Sequence, residues 1–126
     1  MVMSTGKKTV LICDDSLLVR KKLRELIEKS LDECEIVEAT DGQSAVQLYK
    51  DNNPDLVFMD IVMPAKDGIT AVDEIKQHDR KSKIVMLSSV GTQQHLRKAI
   101  EAGAFEFVQK PWKDDQIEFI IKRALG

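Results

Sequence analysis

Apolar residues in this chain follow two alternating patterns, short continuous runs and longer stretches in which they recur every three or four positions. Three runs are apolar almost throughout, and we interpret them as strands buried on both faces of a sheet: 9–13, 56–59 and 84–87. Two more polar runs, 35–39 and 105–108, fit strands at the two edges. The pattern predicts a sheet of five strands.

A stretch with helical spacing follows each strand. In the first, apolar residues recur from Leu18 to Leu31, and Ser16 is placed to cap the helix. Asp41 opens the second helix, and Gly103 stands where a left-handed residue would end the fourth. Strands that alternate with helices pair in parallel through right-handed crossovers. We therefore predict an α/β domain of three layers, a doubly wound parallel sheet with helices on both faces.

Length and charge limit the classes of function. The chain has 126 residues, and we expect one domain over 1–126. Its 19 basic and 21 acidic residues give a net charge of -2, which argues against binding nucleic acid or an anionic membrane surface. No apolar run approaches the roughly 20 residues of a membrane span, and the first residues lack a signal-peptide core. We expect a soluble domain in the reducing cytoplasm.

Two cysteines and a run of basic residues receive structural interpretations. Cys13 ends the first strand and Cys34 precedes the second, so they should lie at opposite ends of parallel neighbours, where no disulfide can form. The basic run at 20–22 is interpreted as a solvated face of the first helix.

Polar side chains follow four of the strands. Asp14 and Asp15 come after the first strand and Asp60 after the third, while Ser88 ends the fourth and Lys110 follows the fifth. In a doubly wound sheet, ligands bind beyond the carboxyl ends of the strands. These five side chains are therefore expected to share one pocket. Each alone also fits a helix cap, a turn or a solvated strand end, but their coincidence at one rim favours a site.

The charges of this pocket indicate its chemistry. Three carboxylates repel one another and a single lysine offsets only one of them, so either a carboxylate takes up a proton or a divalent cation binds. Ligands that are all oxygen favour Mg²⁺, or alternatively Mn²⁺, over zinc. We interpret the site as suited to phosphoryl transfer onto a carboxylate or onto water.

The chain resembles the receiver domain of bacterial two-component response regulators over almost its whole length. The segments that carry the resemblance are VLICDDS at 10–16, ATDG at 39–42, PDLVFMDIVMP at 54–64 with DG at 67–68, MLSS at 86–89, and AGA at 102–104 running to KP at 110–111. The resemblance implies the flavodoxin-like (βα)5 fold with strand order 2-1-3-4-5.

The resemblance also implies roles for individual residues. Asp60 would be the phosphoacceptor, and Mg²⁺ would be bound directly by Asp15, Asp60 and the backbone carbonyl of Val62, and through water by Asp14. Lys110 would contact the phosphoryl group.

Three further implications concern the switch. Ser88 matches the switch hydroxyl, which in the family is more often threonine. Phe107 matches the switch aromatic, commonly tyrosine, and it lacks the phenol hydroxyl. The Lys110–Pro111 bond is typically cis in this family.

By resemblance, the partner that supplies the phosphoryl group is a histidine kinase. Phosphorylation would change the surface of the fourth helix, fifth strand and fifth helix, which would then control a target protein. The stand-alone chemotaxis type is the nearest match, with a flagellar motor component as a candidate target. A monomer is expected, with a phosphorylation-dependent dimer as the alternative.

Val62 and Val90 would flank the phosphoryl group, and because neither can orient water, self-dephosphorylation should be slow to moderate.

Alternatives remain at this point. A phosphorelay intermediate and a receiver cut from a longer regulator both fit the same residues. An Mg²⁺-dependent phosphatase would need a second aspartate two residues after Asp60, where Val62 stands, so we expect no enzyme beyond self-phosphorylation and self-dephosphorylation. A phosphate-independent binding module would leave the acidic pocket and Lys110 without a purpose.

Overall fold

The parallel sheet lies at the centre of the computed structural model, which describes residues 7–89 and 93–125. Strands and helices alternate along the chain, with these bounds: β1 Lys8–Cys13, α1 Leu17–Ser30, β2 Cys34–Ala39, α2 Gly42–Asn52, β3 Leu56–Asp60, α3 Gly68–His78, β4 Ile84–Ser88, α4 Gln93–Glu101, β5 Glu106–Gln109 and α5 Asp114–Leu125. The strand order is β2-β1-β3-β4-β5 and every pairing is parallel. The predicted fold class is confirmed. The fifth strand was predicted one residue too early, at 105–108.

Alternate residues of the three inner strands enter two separate apolar layers. Leu11 and Cys13 of β1 pack with side chains from α2, α3 and α4, whereas Val10 and Ile12 pack with α1 and α5. The runs that looked uniformly apolar are therefore strands buried from both sides, as predicted.

Helix ends follow the expected capping chemistry. Ser16 caps α1 by accepting a hydrogen bond from the Val19 amide at 3.3 Å. Asp41 caps α2 by accepting from the Ser44 amide at 2.7 Å. After α4, Gly103 has a φ of +97°, which glycine adopts without steric cost. Ser16 and Asp41 therefore fix where α1 and α2 begin beside the carboxyl ends of the strands, and Gly103 ends α4 at the opposite edge of the sheet.

The cysteines are both free, as predicted. In the β1–β2 ladder Cys13 lies opposite Ala39, and Cys34 lies opposite Lys8 at the other end. Burial raises the pKa of the Cys13 thiol, which therefore stays protonated. Among the described residues, no helix has the length and apolar composition needed to cross a membrane.

Candidate functional site

The turn between β1 and α1 places two carboxylates in different surroundings. The Asp14 amide donates to the Ala39 carbonyl at 3.1 Å, which continues the β1–β2 ladder by one residue. The Asp14 side chain is fully buried, and its Oδ1 accepts from the Ser16 amide at 2.9 Å. Asp15, the next residue, is exposed. Asp14 is thus held inside the site, and Asp15 forms its outer edge.

Asp60 is the last residue of β3 and is 6% exposed. The chain returns directly beneath it at the start of α3, where the Gly68 amide donates to the Ile61 carbonyl at 2.7 Å. A β-carbon at Gly68 would lie 2.0 Å from the Asp60 carbonyl oxygen, so no other residue fits there without a backbone shift. Gly68 therefore fixes the backbone of the loop that follows Asp60.

Lys110 follows β5 and reaches across the rim to both buried carboxylates. Its amide donates to the Ser88 carbonyl at 2.7 Å, which ties the end of β5 to β4. Its Nζ lies 2.7 Å from Asp14 Oδ2 and 3.5 Å from Asp60 Oδ1. The Lys110–Pro111 peptide bond is cis. One ammonium group is therefore shared unequally between two carboxylates.

The charges of the cluster are not balanced. One carboxylate oxygen from each of Asp14, Asp15 and Asp60 can be chosen so that all three lie within 4.8 Å of one another. Burial and then the negative charge of Asp14 raise the pKa of Asp60 to about 6, although Lys110 opposes the rise. A carboxyl group with a raised pKa is one that a nearby cation would stabilise in its charged form.

Mg²⁺ fits this donor set. Every side-chain ligand is a carboxylate oxygen, which is the ligand that small divalent cations prefer in proteins. Asp14 already accepts a hydrogen bond on each oxygen, from Ser16 and from Lys110. Asp15 and Asp60 are therefore the more available of the three for direct contact with an ion.

The residues predicted for the switch lie on β4 and β5. Ser88 ends β4 and is buried, and Phe107 in β5 is half-buried against the apolar layer of α2, α3 and α4. Val62, two residues after Asp60, is 61% exposed. Val90 lies outside the described residues.

Arg20 was predicted wrongly as part of a solvated face. Its side chain is only 13% exposed, and its Nε donates to Glu38 Oε1 at 2.7 Å. A second nitrogen, Nη1, donates to the Asp14 carbonyl at 2.8 Å. Lys21 and Lys22 are exposed, as expected. The sequence gives no sign of this contact, because Arg20 lies on α1 and Glu38 lies on β2, 18 residues later.

A cavity of about 780 Å³ adjoins the acidic cluster and shares Lys110 with it. Val19, Lys22 and Leu26 of α1 line one side, and Trp112 lines the other. Its lining therefore combines apolar side chains with charged ones of both signs, and it includes Lys110, whose Nζ lies 3.5 Å from Asp60 Oδ1.

The family model described as the response regulator receiver domain matches residues 10–122. The chain is 43% identical over 110 residues to a chemotaxis protein CheY of Halobacterium salinarum, covering 87% of this chain and 90% of that one. A chemotaxis protein CheY of Bacillus subtilis is 42% identical over 117 residues, covering 93% and 97%. The crystal structure of a CheX–CheY–BeF3–Mg²⁺ complex from Borrelia burgdorferi aligns with a TM-score of 0.83 at 32% identity, covering 92% and 88%. The match to the family model begins in β1 and ends in α5, so it includes every strand end that contributes to the acidic cluster.

Proposed function

The chain belongs to the response regulator receiver family, the phosphoacceptor switches of two-component systems, and we propose that Asp60 is the residue that accepts the phosphoryl group. The observation that carries this assignment is the position of Asp60 among its neighbours. It is the one carboxylate of the cluster that ends a central strand, lies beside two further carboxylates and has the Lys110 ammonium 3.5 Å from its Oδ1. Receiver domains act as signalling switches and not as conventional enzymes.

Asp60 acts as a nucleophile in this proposal. A carboxylate oxygen attacks phosphorus in line, a P–O bond forms, and the P–N bond of a phosphohistidine breaks. The electron pair of the broken bond stays on the imidazole nitrogen of the donor. With a pKa of about 6, Asp60 is mostly ionised at neutral pH and needs no separate base. Lys110 is close enough to donate a hydrogen bond to a phosphoryl oxygen and to offset the charge that the group brings.

Mg²⁺ is the proposed cofactor, with Mn²⁺ as a substitute. Asp15, Asp60 and the Val62 carbonyl would hold it directly and Asp14 through water, which agrees with the two hydrogen bonds that already occupy Asp14. The ion would supply positive charge beside the phosphoryl oxygens, in addition to the charge of Lys110.

Ser88 and Phe107 are the proposed switch residues. Ser88 ends the strand next to Asp60, and Phe107 lies opposite Met86 on the neighbouring strand. A hydroxyl drawn towards the phosphoryl group would leave space into which Phe107 can turn. The surface formed by α4, β5 and α5 would then change between two states that already exist in the free protein. Three large apolar side chains are exposed on these two helices, which suits a surface that binds another protein: Leu96, Ile100 and Phe119.

The partners in this proposal are a histidine kinase and a downstream target. The cavity beside Lys110 is the proposed entry for the phosphohistidine, because it is lined by exposed residues of α1 and by Lys110, whose Nζ lies 3.5 Å from Asp60 Oδ1. The relatives from Halobacterium salinarum and Bacillus subtilis, matched over 90% and 97% of their length, are chemotaxis proteins CheY, which favours a chemotaxis role in the cytoplasm over a phosphorelay. A flagellar motor component is the candidate target, and a monomer the expected state before phosphorylation.

Intact mass after incubation with acetyl phosphate tests the proposal. We expect one phosphoryl group to be added, only in the presence of Mg²⁺, and none in Asp60→Asn. Asp55→Asn is the matched control, since Asp55 precedes the same strand at its opposite end and accepts from the Thr9 amide at 2.8 Å. Labelling of Asp60→Asn, or continuous release of phosphate without a labelled protein, would contradict the assignment.

A further inference from the structure

Arg20 contacts the backbone of the acidic site and not its side chains. Its guanidinium donates from Nη1 to the Asp14 carbonyl at 2.8 Å and from Nε to Glu38 Oε1 at 2.7 Å. Because a guanidinium is planar, two bonds to different partners hold it in one orientation. Arg20 therefore joins three elements, namely α1, the end of β2 and the turn that leaves β1.

The Asp14 carbonyl lies at the point where the chain leaves the sheet. Its amide still pairs with β2, but β1 ends one residue earlier, and α1 does not begin until Leu17. Arg20 supplies a hydrogen-bond donor to this carbonyl from within α1. The bond fixes the peptide plane between Asp14 and Asp15, and so the direction in which each side chain leaves the backbone.

We propose that Arg20 is a positioning residue for the metal site, holding the Asp14–Asp15 peptide so that both carboxylates face the cluster. This inference rests on the proposed metal site. In this proposal Arg20 acts through the backbone that carries two ligands, because its contacts are the Asp14 carbonyl and Glu38. Outer contacts of this kind govern how tightly a metal binds, because they set the orientation of the ligands before the metal arrives.

Arg24 provides a matched control within the same helix. It lies one turn later and binds the same carboxylate, with Nε and Nη2 at 3.0 and 2.6 Å from Glu38 Oε2. No hydrogen bond joins it to Asp14 within the described residues. Arg20→Met and Arg24→Met therefore each remove one arginine from Glu38, but only the first releases the Asp14 carbonyl.

The experiment is a Mg²⁺ titration of four proteins, the wild type, Arg20→Met, Arg20→Lys and Arg24→Met, in which binding is measured by Trp112 fluorescence and by calorimetry. We expect Arg20→Met to raise the dissociation constant by roughly 10-fold or more. Arg24→Met should bind like the wild type. Arg20→Lys should resemble Arg20→Met, because one ammonium group cannot keep both bonds in the same geometry. In the metal-free proteins, hydrogen exchange at the Asp15 and Ser16 amides should accelerate in Arg20→Met and Arg20→Lys but not in Arg24→Met.

Several outcomes would overturn the inference. Equal loss of affinity in Arg20→Met and Arg24→Met would mean that the ion pairs act through general stability, which urea unfolding would show. Full rescue by Arg20→Lys would mean that only the charge matters. Tight binding by Arg20→Met would contradict the inference while leaving the metal site intact. Absence of Mg²⁺ binding by the wild type would instead overturn the metal site itself, and the inference with it.

Discussion

Lys110 and Asp14, which are 96 residues apart in the chain, are joined by a 2.7 Å hydrogen bond between Nζ and Oδ2. The bond closes the site between the first and last strands of the chain, and it pairs a fully buried carboxylate with a largely buried ammonium group. Lys110 therefore has a structural role that is separate from its proposed contact with the phosphoryl group.

Lys110→Met should destabilise the metal-free protein. The substitution leaves Asp14 buried without its cationic partner, and removing one partner of a buried pair costs on the order of 3 kcal/mol. It also removes the charge that holds the pKa of Asp60 down, so that pKa should rise further. Urea unfolding in EDTA measures the loss of stability. Lys83→Met is the control, because Lys83 Nζ donates to the Ala124 carbonyl at 2.6 Å, far from the cluster. An equal loss in both variants would contradict a specific role for the pair.

The raised pKa of Asp60 predicts how stability depends on pH in the absence of Mg²⁺. The folded protein binds a proton on Asp60 more tightly than the unfolded chain does, since the pKa is about 6 when folded. The free energy of unfolding should therefore fall as pH rises from about 4 to above 6, by roughly 3 kcal/mol from this group. Asp60→Asn removes this dependence, so it should be more stable than the wild type at pH 8.

Urea unfolding of wild type and Asp60→Asn across this pH range, in EDTA, checks the dependence. Asp55→Asn again serves as the control. Saturating Mg²⁺ should stabilise the wild type more than Asp60→Asn, because binding to the folded state adds stability. A difference between wild type and Asp60→Asn that is the same at pH 4 and pH 8 would show that Asp60 does not titrate as described.

The sheet and the convergence of the acidic residues were predictable from the sequence. The buried strands contain only apolar residues over four positions, and parallel strands bring their carboxyl ends to one edge. The sequence alone was therefore enough to predict that four side chains lie close together: Asp14, Asp15, Asp60 and Lys110. The first and last residues of the edge strand β5 were harder to predict, because only one of its faces is deeply buried and its first residue depends on pairing with β4.

The contacts that hold the site together were not predictable. The contact of Arg20 with Glu38 depends on how α1 is rotated against β2, which the helical repeat leaves undefined. Lys110 lies closer to Asp14 than to Asp60, but the distances from Nζ to the two carboxylates differ by less than 1 Å. Reasoning from the sequence cannot resolve a difference of that size. Position 68 requires glycine because its backbone lies close to the backbone of Asp60, eight residues earlier in the chain.

Gly68→Ala should damage the site more than an ordinary helix substitution. The new methyl group would lie 2.0 Å from the Asp60 carbonyl oxygen, which is backbone and cannot rotate away. Overpacking of this kind costs about 2–3 kcal/mol, and the displaced Asp60 should bind Mg²⁺ on the order of 10-fold more weakly. Urea unfolding and a Mg²⁺ titration measure the two effects. Thr70→Ala, at an exposed position in the same turn of α3, should change neither.

Val62 should limit the rate at which the phosphorylated protein loses its phosphoryl group. Val62 follows Asp60 by two residues, is 61% exposed, and has no side-chain group that can orient a water molecule. We therefore expect the phosphorylated wild type to have a half-life of minutes or longer. Val62→Asn should lose the phosphoryl group on the order of 10-fold faster, which is less than the acceleration that a general base would give. Loss of label followed by intact mass measures both rates. Ile100→Asn makes the same change at an equally exposed apolar position, 63%, on α4, and should leave the rate unchanged. A half-life of seconds in the wild type would mean that another group orients the water.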